Sequence, residues 1–79
     1  MFIVYILKSS KSGRFYIGYT ADISARLKAH NSGRNRSTKA GAPWQPVYQE
    51  YFPTKELAFK REQQIKRYKG GEAFKKLLS

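Results

Sequence analysis

The stretch from residue 33 to residue 46 has the composition of a loop and carries three cations and one tryptophan: Arg34, Arg36, Lys39 and Trp44. Cationic side chains bind phosphates, and an aromatic ring stacks on an unstacked base, so this mixture is typical of nucleic-acid binding. A connection of this length without regular structure is unusual in a compact domain unless it binds something. We therefore predict that these four residues contact a nucleic acid.

Arg26 and His30 lie four residues apart in a predicted helix, which places them one turn apart on the same side. Both border the apolar seam formed by Ile23 and Leu27, so a cation and an imidazole would stand together at the edge of the sheet. Two interpretations stay open. The pair is functional, or the arginine stem packs on the core beside a half-buried histidine.

Glu62 borders the apolar seam of a later predicted helix. Its structural interpretation is an ion pair with Lys66 one turn later, in the favourable order of glutamate before lysine, worth about 0.2–0.5 kcal/mol. Three of the other four acids are interpreted as helix caps, first-turn charges or strand-surface residues, namely Asp22, Glu56 and Glu50. Glu62 is therefore the acid for which a functional role stays open beside the ion pair.

Three tyrosines, Tyr5, Tyr16 and Tyr19, cluster on the first two predicted strands. Alternation along a strand puts Tyr16 and Gly18 on one face, and a glycine inside a strand indicates a bulge or a close backbone approach. Aromatic rings on a sheet are usually core residues whose hydroxyl group needs a partner. Burial and function both stay open for these rings.

The chain has 79 residues, with 16 Lys and Arg against 5 Asp and Glu, and a formal net charge of +11. This charge attracts polyanions, among which nucleic acid is favoured over anionic lipid or acidic protein. The lack of cysteine and the single histidine exclude thiolate chemistry and a multi-histidine metal site. The longest apolar run, residues 2–7, is too short to span a membrane and follows no cationic leader. We expect a cytoplasmic protein without membrane contact.

The elements that must position these side chains are three strands and three helices. Strands are predicted over residues 2–7, 15–19 and 47–52, the first central and buried on both faces, the third edged by Pro46 and Pro53. Helices are predicted over residues 22–32, 54–69 and 72–78. The order β-β-α-β-α-α predicts an α/β (α+β) fold, a three-stranded antiparallel sheet flanked by helices, in one domain of residues 1–79.

Five sequence features occur in an order that resembles a known family: Val4-Tyr5-Ile6-Leu7, Tyr16-Ile17-Gly18, Arg26, His30 and Glu62. The set resembles the GIY-YIG nuclease domain, and most of all its small single-domain, UPF0213-like bacterial members, over essentially the whole chain. That family has a three-stranded antiparallel sheet flanked by helices. Its members include homing endonucleases, the incision subunit of bacterial excision repair and junction nucleases.

The resemblance implies hydrolysis of DNA phosphodiester bonds with one divalent metal ion, Mg²⁺ or Mn²⁺, and no small-molecule cofactor. By position, Tyr5 and Tyr16 would be the two motif tyrosines, Arg26 the phosphate-binding arginine, His30 the adjacent polar residue and Glu62 the metal ligand. A nearby metal ion and a cationic surface favour a phenolate, so we expect Tyr16, relayed through His30, to activate water. One carboxylate can suffice, because Mg²⁺ keeps several waters and binds substrate phosphate.

Two departures from the family pattern are visible. The first motif reads Ile3-Val4-Tyr5 without its glycine, and no asparagine follows Glu62. Our prediction is a metal-dependent endonuclease that acts on DNA, structure-directed and used in repair or recombination, with Tyr19 added to the nucleic-acid-binding residues. The alternative is a catalytically idle basic module that binds nucleic acid, and RNA stays open as a partner.

Overall fold

The computed structural model describes residues 1–33 and 38–79. Within these residues the strands are β1 (Phe2–Ser9), β2 (Phe15–Thr20) and β3 (Trp44–Phe52), and the helices are α1 (Ile23–Asn31), α2 (Lys55–Tyr68) and α3 (Glu72–Leu78). A short 3₁₀ helix, Lys39–Gly41, precedes β3. The predicted order β-β-α-β-α-α is confirmed.

The sheet has the strand order β2-β1-β3, and both strand pairs are antiparallel. β1 is therefore the central strand, and five of its successive residues, from Ile3 to Leu7, are buried. A strand buried on both faces needs apolar side chains at every position, which explains why this segment shows no alternation. The prediction of a central strand over residues 2–7 is confirmed.

Apolar side chains on β1 alternate between two hydrophobic clusters, one on each face of the sheet. Val4 and Ile6 pack with residues of α2 and α3, namely Ala58, Ile65 and Phe74. Tyr5 and Leu7 pack on the other face with Trp44, against the half-buried seam residues of α1, Ile23 and Leu27. Helices thus cover both faces of the sheet, as the sequence predicts.

β3 begins at Trp44, three residues earlier than predicted. Pro46 lies inside the strand and pairs with Leu7. The preceding residue of β1, Ile6, pairs with Tyr48, two residues after Pro46, so the register shifts by one residue here. A proline has no N–H to donate, but β3 is an edge strand, so the missing donor breaks no ladder in the sheet interior. The predicted loop over residues 33–46 is correspondingly shorter.

Side-chain caps mark the starts of α1 and α2, and an ion pair joins α2 to the sheet. Asp22 caps α1 by accepting from the Ala25 N–H, and Thr54 caps α2 by accepting from the Leu57 N–H. Arg61 on α2 binds Glu50 on β3, with 2.8 Å between Nε and Oε1. None of the helices in the described ranges is long and apolar enough to cross a membrane.

Candidate active-site cleft

A cleft of about 360 Å³ lies beside β2 and draws side chains from four elements. The polar and aromatic groups that line it are Phe2 and Tyr5 from β1, Tyr16, Tyr19 and Thr20 from β2, Arg26 from α1, and Lys55 and Glu62 from α2. The structure therefore brings together Tyr5, Tyr16, Arg26 and Glu62, which are far apart in the sequence.

Gly18 makes room for the hydroxyl group of Tyr5. The two residues face each other across the β1–β2 pair. A Cβ atom on Gly18 would lie 2.7 Å from Tyr5 Oη and 2.9 Å from Tyr5 Cζ, closer than real Cβ contacts. The close approach that the sequence predicts at Gly18 is thus made by a tyrosine side chain. Tyr16 stacks beside it, with ring centroids 6.3 Å apart.

His30 lies beneath the cleft and is 0% exposed. Its Nε2 is 3.2 Å from Tyr5 Oη, and its Nδ1 is 2.8 Å from Thr38 Oγ1. Burial lowers the pKa of His30, and the positive charge of Arg26 lowers this pKa further. The imidazole is therefore neutral near neutral pH and links Tyr5 to Thr38 through both ring nitrogens.

The expected relay from Tyr16 through His30 is wrong. Both nitrogens of His30 are used by Tyr5 and Thr38, while Tyr16 contacts the imidazole as a tilted ring with centroids 4.7 Å apart. A proton relay needs a hydrogen bond, and a ring contact does not provide one. His30 is therefore a residue that positions Tyr5, and it does not itself line the cleft.

Tyr5 is almost completely buried, and burial raises the pKa of its hydroxyl group above the ordinary value. The neighbouring Tyr16 and Glu62 raise this pKa further, and Arg26 opposes them only in part. The hydroxyl group therefore stays protonated near neutral pH. Tyr5 can hold or donate a hydrogen bond in the cleft, but it is a poor base.

Glu62 takes part in the ion pair that the sequence predicts and also lies at the cleft. Its carboxylate Oε1 lies 3.4 Å from Lys66 Nζ, so the ion pair one turn along the helix exists. Gln63 Nε2 donates to the same oxygen at 2.7 Å. Glu62 also lines the cleft, although it is only 7% exposed. Both contacts fall on Oε1, and among the residues that the structure describes no hydrogen bond or ion pair falls on Oε2.

The donor set at Glu62 fits a hard divalent cation that is shared with a substrate. No group of three or more His, Cys, Asp or Glu side chains that could hold a metal ion occurs in the described part of the chain. A closed structural zinc site needs such a group. Mg²⁺ binds through one or two carboxylates, several waters and substrate phosphate, and a single glutamate in an open cleft suits that chemistry.

Lys55 is a cleft residue that the sequence interpretation missed. It lies in the first turn of α2, seven residues before Glu62. Seven residues are about two helical turns, so Lys55 and Glu62 lie on the same side of α2. This spacing was the available signal. Lys55 gives the cleft a second cation besides Arg26.

The predicted nucleic-acid-binding residues have different outcomes. Trp44 is 6% exposed and packs in the core, and its Nε1 donates to the Thr38 carbonyl at 2.7 Å. The prediction that Trp44 stacks on a base is wrong, because its ring is buried in the core together with Tyr5 and Leu7 of β1. Tyr19 lines the cleft and Lys39 is exposed. Arg34 and Arg36 lie outside the described residues.

Comparison with known proteins identifies the family. A sequence model described as the GIY-YIG catalytic domain matches residues 1–75. The chain belongs to the GIY-YIG family. The UPF0213 protein of Staphylococcus aureus strain Mu3 is 47% identical over 66 residues, covering 82% of this chain and 79% of that protein. A UPF0213 protein of S. aureus strain N315 matches to the same extent.

A solved structure supports the fold. The solution NMR structure of a UPF0213 protein from Bacillus halodurans has a TM-score of 0.50 and 38% sequence identity, and the match covers 85% of this chain and 72% of that chain. The resemblance drawn from the sequence motifs is confirmed. In this GIY-YIG chain the two tyrosine motifs are neighbours in one antiparallel pair, because Tyr5 faces Gly18 and Leu7 faces Tyr16.

Proposed function

We propose that this chain is an endonuclease that hydrolyses DNA phosphodiester bonds with the help of a divalent metal ion. The observation that carries the proposal is the convergence of Tyr5, Tyr16, Arg26 and Glu62 on one cleft. Membership of a nuclease family supports it, and so does the formal net charge of +11, which attracts a polyanionic substrate.

Arg26 and Lys55 bind the scissile phosphate in this proposal. Both side chains are exposed and line the cleft, so a phosphate can reach them without displacing core residues. A guanidinium group can donate two parallel hydrogen bonds to phosphate oxygens, whereas a lysine acts as a point charge. Both stabilise the negative charge that develops on the phosphoryl group.

Tyr5 and Tyr16 have different roles in the proposed reaction. Tyr5 stays protonated, and we assign the imidazole proton of His30 to Nε2, which then donates to Tyr5 Oη and leaves the Tyr5 O–H to donate to a phosphate oxygen or a water. Tyr16 is half-buried at the cleft wall and is the residue we assign to activation of the attacking water. Glu62 would hold Mg²⁺ or Mn²⁺, which supplies Lewis-acid polarisation of the phosphate when bound.

The biological setting of this activity belongs to the proposal as well. We place the protein in the cytoplasm, where branched or damaged DNA formed during repair and recombination would be its substrate. The charge excess makes binding depend strongly on salt, because each neutralised phosphate releases counterions.

Replacement of Glu62 by glutamine tests the proposal. Purified protein is incubated with branched, nicked and single-stranded DNA, with Mg²⁺ or with a chelator. We expect cutting that needs the metal and falls at least about 100-fold in Glu62→Gln, while DNA binding is largely retained. Glu56→Gln is the matched control, since Glu56 is an exposed acid on the same helix. If wild-type protein binds DNA and cuts none of the substrates, the catalytically idle module is correct.

A further inference from the structure

A basic groove runs along the outer side of α2, next to the cleft. Its lining consists of one aromatic ring, two cations and two amides, namely Phe59, Lys60, Gln63, Gln64 and Arg67. We call this set the α2 groove. It contains no acidic residue, so its charge complements a polyanion. Cations interleaved with an aromatic ring are the composition of surfaces that bind single-stranded nucleic acid.

Phe59 presents an exposed ring that is held in place. The residue is 48% exposed although it is a large apolar side chain. Its ring packs edge-to-face against Tyr19, with ring centroids 6.1 Å apart and an interplanar angle of 79°. Tyr19 in turn lines the cleft. The two rings therefore form a continuous aromatic path from the cleft to the α2 groove.

Gln63 forms a second connection between the two sites. Its side chain lines the α2 groove, and its Nε2 donates to Glu62 Oε1 at 2.7 Å. Glu62 is the proposed metal ligand at the floor of the cleft. A DNA strand whose scissile phosphate lies near Glu62 would therefore reach the α2 groove within the next few nucleotides.

We propose that the α2 groove binds an unpaired DNA segment that continues from the scissile phosphate. Phe59 stacks on one of its bases, and Lys60 and Arg67 bind its phosphates. The inference rests on the proposed nuclease function, which places the phosphate in the cleft. The segment must be unpaired, because a base inside a duplex has both faces occupied by its neighbours. Phenylalanine offers no hydrogen-bonding group, so the stacking accepts any base.

The cations are tested by a charge-matched comparison of DNA binding without metal. Fluorescence anisotropy measures binding to a labelled single strand and to a blunt duplex of the same sequence. The groove variant is Lys60→Ala with Arg67→Ala, and the control is Lys75→Ala with Lys76→Ala, two exposed lysines on α3. We expect the groove variant alone to lose about tenfold in single-strand affinity, and the slope of log K against log salt to fall by about 1.4. Equal losses in both variants would overturn the proposal.

The ring is tested separately with 2-aminopurine, a base analogue whose fluorescence falls when it stacks. Phe59→Leu keeps an apolar contact for Tyr19 and removes the ring, whereas Phe59→Tyr keeps the ring. We expect Phe59→Leu to bind the single strand about fivefold more weakly or worse, with loss of quenching, and Phe59→Tyr to behave as wild type. Unchanged affinity and quenching in Phe59→Leu would refute the stacking role.

These binding measurements are independent of catalysis. If the groove variants lose single-strand binding but the wild-type protein cuts no DNA with Mg²⁺, the groove proposal stands and the nuclease proposal fails. If the wild-type protein cuts DNA and the groove variants bind like wild type, the groove fails and the nuclease stands. Circular dichroism and thermal melting of each variant establish that it is folded.

Discussion

Tyr5 and Gly18 face each other across β1 and β2, and the Tyr5 hydroxyl group occupies the space that a side chain on Gly18 would need. The glycine of the second motif therefore serves the tyrosine of the first. The two motifs build the cleft together, because Tyr5 Oη can take its position only where the neighbouring strand has a glycine, which lacks a Cβ atom.

Substitution of Gly18 by alanine is expected to lower the free energy of unfolding by about 1–3 kcal/mol, the usual cost of overpacking a filled site. The new methyl group would meet Tyr5 Oη at 2.7 Å and Cζ at 2.9 Å. Urea unfolding measures this change. Tyr5→Phe removes the nearer atom, so the double variant should lose less stability than the sum of the single variants. Additive losses would contradict the contact.

In the proposed site the positive charge of Lys66 would repel a metal ion bound at Glu62, because Lys66 Nζ lies 3.4 Å from Glu62 Oε1. Lys66→Met keeps the length of the side chain and removes the charge, so we expect Mn²⁺ to bind about two- to fivefold more tightly, the effect of a surface charge that water screens strongly. Isothermal titration calorimetry measures the affinity. Lys76→Met is the control for general charge loss. Unchanged affinity in Lys66→Met would argue that Glu62 is not the metal ligand.

Lys55→Ala is expected to reduce kcat/KM for DNA cutting about tenfold, which corresponds to roughly 1.4 kcal/mol of lost phosphate stabilisation. Lys55→Arg keeps the charge at the cleft and should restore most of the activity. Lys75→Ala removes an exposed charge away from the cleft and serves as the control. Equal effects of Lys55→Ala and Lys75→Ala would show that Lys55 acts only through the net charge.

His30 makes stability depend on pH. Burial lowers the pKa of the folded imidazole, so the unfolded chain binds a proton at a pH where the folded chain does not. The free energy of unfolding is therefore greatest above about pH 6.5, the ordinary pKa of histidine, and falls as the pH decreases below it. Urea unfolding between about pH 5 and 7.5 measures this slope. His30→Gln should flatten it, and a slope as steep as in the wild type would assign the effect to another group.

Much of the fold follows from local patterns in the sequence. The unbroken apolar run of residues 2–7 identifies the central strand, and the caps Asp22 and Thr54 mark the helix starts that the structure shows. The start of β3 was missed because Pro46 was interpreted as a boundary. Whether a proline ends a strand depends on the side of the ladder it faces, and this is set by the tertiary fold.

The candidate site also contains residues that the sequence identifies and residues that it does not. The motif residues Tyr5, Tyr16, Arg26 and Glu62 are recognisable from their order, and all four line the cleft. Trp44 was assigned wrongly to base stacking and Phe59 was not assigned to any site, because composition does not say which ring is buried and which is exposed. The structure buries the tryptophan and exposes Phe59 on α2, so the ring that we propose for stacking lies on α2.

The central position of β1 also determines how the cleft can deform. β1 is paired along both edges, so Tyr5 can shift only if the sheet itself opens. α1 buries only His30 among its nine residues, and Arg26 is exposed. The cleft therefore combines a hydroxyl group on a rigid strand with an arginine side chain that is exposed to solvent. In the proposed nuclease, Tyr5 keeps one position, while the Arg26 side chain can move with a phosphate whose position differs from one DNA structure to the next.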